Sequence, residues 1–129
     1  MQQSNCFPKK EHLCGEIRIN KLYAEGKAFI AYPYRVVYCI EKTQTDVPVM
    51  VLVSVPKKRF KRAVKRNKIK RLMREAYRLN KHFLTDICTQ NACQIQIALN
   101  YVSDIEMDFK AMEIKMIDAL YKISQKIEL

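Results

Sequence analysis

Residues 57 to 81 read KKRFKRAVKRNKIKRLMREAYRLNK, which places 13 of the chain's 24 Lys and Arg in one run with a single acid, Glu75. The other residues hold 11 basic and 12 acidic side chains and are close to neutral. Charge confined to one segment, instead of spread over the surface, marks a binding face for a polyanion. Lysine ammonium groups neutralise phosphate without direction, whereas the planar guanidinium of Arg66, Arg71 or Arg74 can fork onto two phosphate oxygens. Asn67 adds an amide that both donates and accepts. A merely solubilising face is the bland alternative, but ordinary solvated helices mix signs and this one does not.

The elements that position this charge follow from periodicity. Within the run, Ile69, Leu72, Met73, Ala76 and Tyr77 recur at helical spacing, which predicts one amphipathic helix from about Ala63 to Asn80 with a basic back. On that back Arg66, Lys70 and Arg74 fall at i, i+4 and i+8, flanked by Lys68, Arg71 and Arg78. Like charges so placed repel by roughly 0.2–0.5 kcal/mol per pair, and a polyanion relieves the repulsion.

Upstream, Glu11 to Gly26 reads as a first helix, with Leu13, Ile17 or Ile19, Leu22 and Tyr23 as its apolar stripe and Gly26 as its stop. Phe29 and Ile30 precede Pro33, and then Tyr34, Val36, Tyr38 and Ile40 alternate along a strand and share one face. The polar segment Glu41 to Pro48 leads into Val49 to Val55, the strongest strand signal, and the two strands are expected to pair antiparallel. Cys93 to Leu99 alternates again. Asp104 is expected to open a last helix whose Ile105, Phe109, Met112, Met116, Ile117, Leu120 and Ile123 face inward. The order is α/β, helix, strands, helix, strand, helix, and it implies a sheet covered mainly on one side with the other face open. The unit from Val49 to Leu99 brings its two strands side by side in parallel with the basic helix as crossover.

With 129 residues and nearly half of them apolar, the chain reads as one domain, 1–129, with residues 1–6 as a flexible tail. The longest apolar stretch, Val47 to Val55, is far below the roughly 20 residues that span a bilayer. The N-terminal residues lack the apolar core of a secretory signal, so a cytoplasmic protein is expected. Cysteines at 6, 14, 39, 88 and 93 form no C-x-x-C pair and read as reduced thiols. His12 and His82 have no partner at zinc-like spacing. Nucleophilic triads, paired catalytic carboxylates and glycine-rich phosphate loops are all missing, the last nearly impossible with two glycines. Catalysis is therefore expected to belong to a partner, with no metal held by the protein. Tyr23, Phe29, Tyr34 and Tyr38 are either core or, on an open sheet face, stacking platforms for unpaired bases worth about 1–3 kcal/mol each.

The stretch Arg62 to Arg78, RAVKRNKIKRLMREAYR, resembles the arginine-rich signature helix of the bacterial ribonuclease P protein component. The resemblance extends from about residue 7 to 127 through Leu13, the Leu22, Tyr23, Gly26 helix ending, Val53 to Lys58, and the Ile97, Ala98 strand. It implies an α+β sandwich ordered α-β-β-(β)-α-β-α, with a mixed four-stranded sheet and a left-handed strand-helix-strand crossover against the usual hand. It further implies a subunit of a ribonucleoprotein endonuclease, partnered by a catalytic RNA and by precursor tRNA, with no requirement for a protein oligomer. Magnesium would be held mainly by the RNA subunit and substrate, and the cut would release the 5′ leader. On this sequence Lys65, Arg66, Asn67, Lys68, Lys70, Arg71 and Arg74 would bind RNA, while Ile19, Tyr23, Phe29 and Tyr38 would line the leader cleft. Lys68, Ile19, Leu99 and His12 depart from the family's usual Arg, Phe, basic residue and Arg. Two rivals remain: a ribosomal or nucleoid-type protein that uses the helix structurally, and a protein nuclease built on surface carboxylates such as Asp46 or Asp86.

Overall fold

The computed structural model describes residues 7–127, so the tail expected over residues 1–6 lies outside them. Four strands, β1 (Lys27–Ala31), β2 (Tyr34–Glu41), β3 (Val49–Ser54) and β4 (Gln94–Tyr101), form one mixed sheet in the order β1-β2-β4-β3. Four helices accompany them: α1 (Glu16–Glu25), α2 (Ala63–Asn80), α3 (His82–Gln90) and α4 (Phe109–Ile127). A mixed α+β fold with one four-stranded sheet is therefore what the chain adopts.

The β2 and β3 runs do not pair with each other as their proximity in sequence suggests. β4 lies between them, antiparallel to β2 and parallel to β3, with Ile97 opposite both Tyr38 and Val51. The reason is burial: Ile95, Ile97, Ala98 and Leu99 are completely buried, and a strand apolar on both faces belongs at the centre of a sheet. The parallel pairing carries α2 and α3 as its crossover. α3 escapes the sequence reading because residues 81–90 mix polar and apolar side chains; in the fold it buries Leu84 and Cys88.

Alternation along β2 separates two cores. Tyr34, Val36 and Tyr38 join Ile69, Met73, Tyr77, Met112, Met116 and Leu120 under α2 and α4. Val37 points the other way and packs with Leu13, Leu22, Met50 and Ala98 under α1. The second face is thus partly roofed, not open. Tyr34 Oη donates to the Met112 carbonyl at 2.9 Å, tying β2 to α4. Burial pushes the phenols of Tyr34 and Tyr77 above their ordinary range, so both stay neutral. Cys14, Cys39, Cys88 and Cys93 are free thiols.

The first helix is shorter than its periodicity suggests. A 3-10 turn at Lys9–Glu11 gives way to extended chain, where the Leu13 N–H bonds to the Val51 carbonyl at 2.9 Å, and α1 begins only at Glu16. α1 does stop at Gly26, but not through a left-handed turn, since φ is −73°. Glycine is required there by close approach: a Cβ would stand 2.5 Å from the Leu22 carbonyl oxygen and 3.0 Å from that of Tyr38. Gly26→Ala should accordingly lower stability by about 1–3 kcal/mol. Urea denaturation with an unchanged midpoint would show that the backbone yields freely.

At the other end, α4 starts at Phe109, with Asp108 Oδ1 accepting from the Ala111 N–H at 2.8 Å, and not at Asp104. Met112, Met116, Leu120 and Ile123 face inward as expected, while Ile105 and Ile117 are exposed. Ile105 turns out because its backbone is tied inward: its carbonyl accepts from Tyr101 Oη, and its N–H donates to Ser103 Oγ.

Candidate nucleic-acid interface

α2 forms where the period predicts and buries Ile69, Met73, Ala76 and Tyr77. That choice of inner face dictates the outer one. Asn67, Lys68, Arg71 and Arg74 are exposed, whereas Arg66 and Lys70 are half-buried at the helix flank. The outermost line therefore runs Asn67, Arg71, Arg74, not Arg66, Lys70, Arg74, because the buried stripe turns the latter pair toward the core.

Arg66 has a task inside the fold. Its Nη1 donates to the carbonyls of Phe60 at 2.9 Å and Lys61 at 2.8 Å, fixing the basic lead-in to the helix start. Phe60 is buried against Tyr101, which anchors the same segment from below. Lys65 and Lys68 reach Glu106 at 3.8 and 3.3 Å. Arg78 pairs with Glu75, and this hydrogen bond holds the Glu75 carboxyl below its usual range. Among the described residues no carboxylate pairs with Lys70, Arg71 or Arg74. Arg71 and Arg74 border a shallow hollow of about 270 Å³ with Phe7 and His12. The first turn of α2 contains no acid, so its cations face the positive end of the helix dipole, an arrangement that favours an anion as ligand.

The four residues assigned to a leader cleft divide between the two faces of the sheet. Ile19 packs on the α1 side. Tyr23 is 41% exposed, and its Oη donates to Asn100 Oδ1 at 2.7 Å. Phe29 and Tyr38 sit in the opposite core, edge to face at 5.9 Å, with Tyr38 only 5% exposed. Strand parity explains the separation: Tyr38 shares its face with Tyr34 and Val36, whereas Val37 and Cys39 face α1. The sequence reading missed Asn100, which lies on the α1 face and whose amide donates to the Arg35 carbonyl at 3.2 Å. Counting by twos from Ala98 would have found it. Asn100 is also opposite Ser54 in β3, so the Tyr23 end of this surface runs toward the basic lead-in.

Asp46 and Asp86 border the same hollow of about 340 Å³, with Glu11, Lys81 and His82. Lys81 is buried there and bonds Glu11 Oε1 at 2.7 Å, pinning the end of α2 to the N-terminal segment. No helix among the described residues is long and apolar enough to cross a membrane.

The fold is similar to that of the ribonuclease P protein from Thermotoga maritima, with a TM-score of 0.69 at 22% identity over 87% of this chain and 96% of that one. The Staphylococcus aureus RNase P protein superimposes with a TM-score of 0.64 at 21% identity, over 89% and 95% of the two chains. In sequence, the chain is 46% identical over 119 residues to the ribonuclease P protein component of Porphyromonas gingivalis, covering 92% of this chain and 87% of that one. The family model for ribonuclease P matches residues 7–124. With the signature helix, the two-sided sheet and these relatives in agreement, the chain belongs to the ribonuclease P family, as a protein component of that tRNA-processing endoribonuclease.

Proposed function

We propose that this chain binds the ribonuclease P RNA subunit through α2 and receives the 5′ leader of precursor tRNA on the α1 face of the sheet. The observation that carries the reading is the outward line Asn67, Arg71, Arg74, two guanidinium groups without an acid partner among the described residues on a helix whose inner face is fully committed to the core. Lys65, Lys68 and Lys70 add charge on its flanks, and Arg66 positions the lead-in. Tyr23 supplies an exposed ring for a base, and Ile19, one turn earlier on α1 and half-buried on the same side of the sheet, offers plain apolar contact. Phe29 and Tyr38 stabilise the fold from the other side and do not join this surface.

The chemistry belongs to the RNA, and magnesium with it. The surface offered to RNA is cationic, with no acid in the first turn of α2. The cytoplasm is the compartment where such a subunit would meet precursor tRNA. A ribosomal or nucleoid role finds no support in the relatives, which are ribonuclease P protein components.

Reconstitution tests the reading: this protein, a bacterial ribonuclease P RNA and 5′-labelled precursor tRNA at near-physiological magnesium, beside each component alone. Cleavage at the mature 5′ end that needs both protein and RNA is the expected result, and no enhancement over RNA alone would overturn it. In the same assay Tyr23→Ala should weaken affinity for precursor roughly 5- to 150-fold while sparing mature tRNA, the span given by about 1–3 kcal/mol for one stacked base. Equal losses for both would remove Tyr23 from the leader surface.

A further inference from the structure

Asp104, Glu106 and Asp108 fall close together in the link between β4 and α4, a short acidic stretch laid beside the start of the basic run. Asp108 caps α4. The other two face cations: Asp104 Oδ1 accepts from Arg59 Nη1 at 3.0 Å, and the two oxygens of Glu106 are divided between Lys65 and Lys68. Stability alone gives little reason for these contacts, because exposed ion pairs contribute only about 0–1 kcal/mol. The link is nevertheless held firmly. Tyr32 Oη donates to the buried Ser103 Oγ at 2.8 Å, Ser103 Oγ accepts from the Ile105 N–H at 3.1 Å, and Tyr101 Oη donates to the Ile105 carbonyl. The residue before Glu106 is thus gripped at both its N–H and its carbonyl, and the carboxylate stands over the lysines because the fold puts it there.

A carboxylate that bridges two ammonium groups offers two anionic oxygens, as does a backbone phosphate. We propose that Glu106, seconded by Asp104, is an internal competitor for RNA phosphate: it occupies Lys65 and Lys68 in the free protein, and RNA engages this flank of α2 by exchanging a phosphate for the carboxylate. The inference rests on the reading of α2 as the RNA-binding element. Its consequence is a bias in docking. A polyanion that meets only the Lys65 and Lys68 flank must displace a charge equal to the one it brings, whereas one that meets Arg71 and Arg74 displaces none. Glu106 thereby favours ligands that seat on the outward line and weakens indiscriminate attachment to the helix start.

The test uses the whole chain and ribonuclease P RNA, with equilibrium binding measured across a salt series. Glu106→Gln keeps the shape of the side chain and should tighten binding about threefold at low ionic strength, a gain that shrinks as salt screens the exchange. Asp118→Asn removes the same charge from an exposed α4 pair with Lys122, which lies over Phe29, and should give a clearly smaller gain. In a Lys65→Ala, Lys68→Ala background the effect of Glu106→Gln should vanish. A gain no larger than that of Asp118→Asn, a gain that survives without the two lysines, or a loss of affinity would each overturn the proposal. Arg71→Ala, measured alongside, separates the two levels of inference. If it weakens binding while Glu106→Gln fails, the competitor is wrong and α2 remains the RNA element; if it too leaves binding unchanged, the RNA reading falls and the competitor with it.

Discussion

Alanine at both Arg71 and Arg74 should weaken binding of ribonuclease P RNA about 10- to 100-fold at low salt and flatten the slope of log K against log salt by about one to two units. The size follows from geometry. Both guanidinium groups stand on the exposed line of α2, neither has a carboxylate partner among the described residues, and neither contributes to the buried stripe. Their loss therefore removes phosphate contacts without unmaking the fold. One charge-assisted contact at roughly 1.4 kcal/mol is a factor of about ten. Arg66→Ala is a poorer probe, because it also frees the carbonyls of Phe60 and Lys61 that shape the lead-in. Filter binding of the double variant over several salt concentrations checks the prediction; a slope equal to that of the native protein would take both residues out of the contact set.

The largest effect on stability is expected from Ile97→Ala, a loss of about 2–5 kcal/mol. Ile97 is fully buried in the central strand, between Tyr38 of β2 and Val51 of β3, and its side chain belongs to the core beneath α2 and α4. Truncation opens a cavity that a strand bonded on both sides cannot close by moving. Urea denaturation followed by circular dichroism should show a much lower midpoint with an unchanged dependence on denaturant. A shift below about 1 kcal/mol would mean that the centre of the sheet repacks far more easily than its burial suggests. Given total stabilities of about 5–15 kcal/mol for domains of this kind, the variant should sit near the edge of folding.

Much of this was legible in the residues themselves. The α2 period survived intact because its apolar positions and its charges occupy different faces, so burial and function do not compete for the same side chains. Parity along β2 was equally plain. Parity also divides the four residues assigned to the leader cleft: Tyr38 sits in register with Tyr34 and Val36, on the face opposite that of Val37 and Ile19. What sequence could not supply was contact at a distance. The insertion of β4 between β2 and β3 depends on comparing the burial of three strands. The outward turn of Ile105 depends on hydroxyl groups from Tyr101 and Ser103, and the late start of the first helix depends on a bond from Leu13 to Val51. The stop at Gly26 was read correctly for a reason that does not hold, since steric approach and not a left-handed turn demands glycine there.

The position of α2 as the crossover between β3 and β4 gives this protein a property that an appended basic tail would not have. Val49 finds Ile95 only when everything between them, α2 included, has been laid down. The segment that repels itself most strongly is thus the one that must be in place for the middle of the sheet to close. If RNA seats on α2 as proposed, it should stabilise the native state by as much as it prefers the folded helix over the same cations on the unfolded chain. Folding and assembly would then be linked: the chain should resist proteolysis better with ribonuclease P RNA than alone, where it keeps only its intrinsic margin.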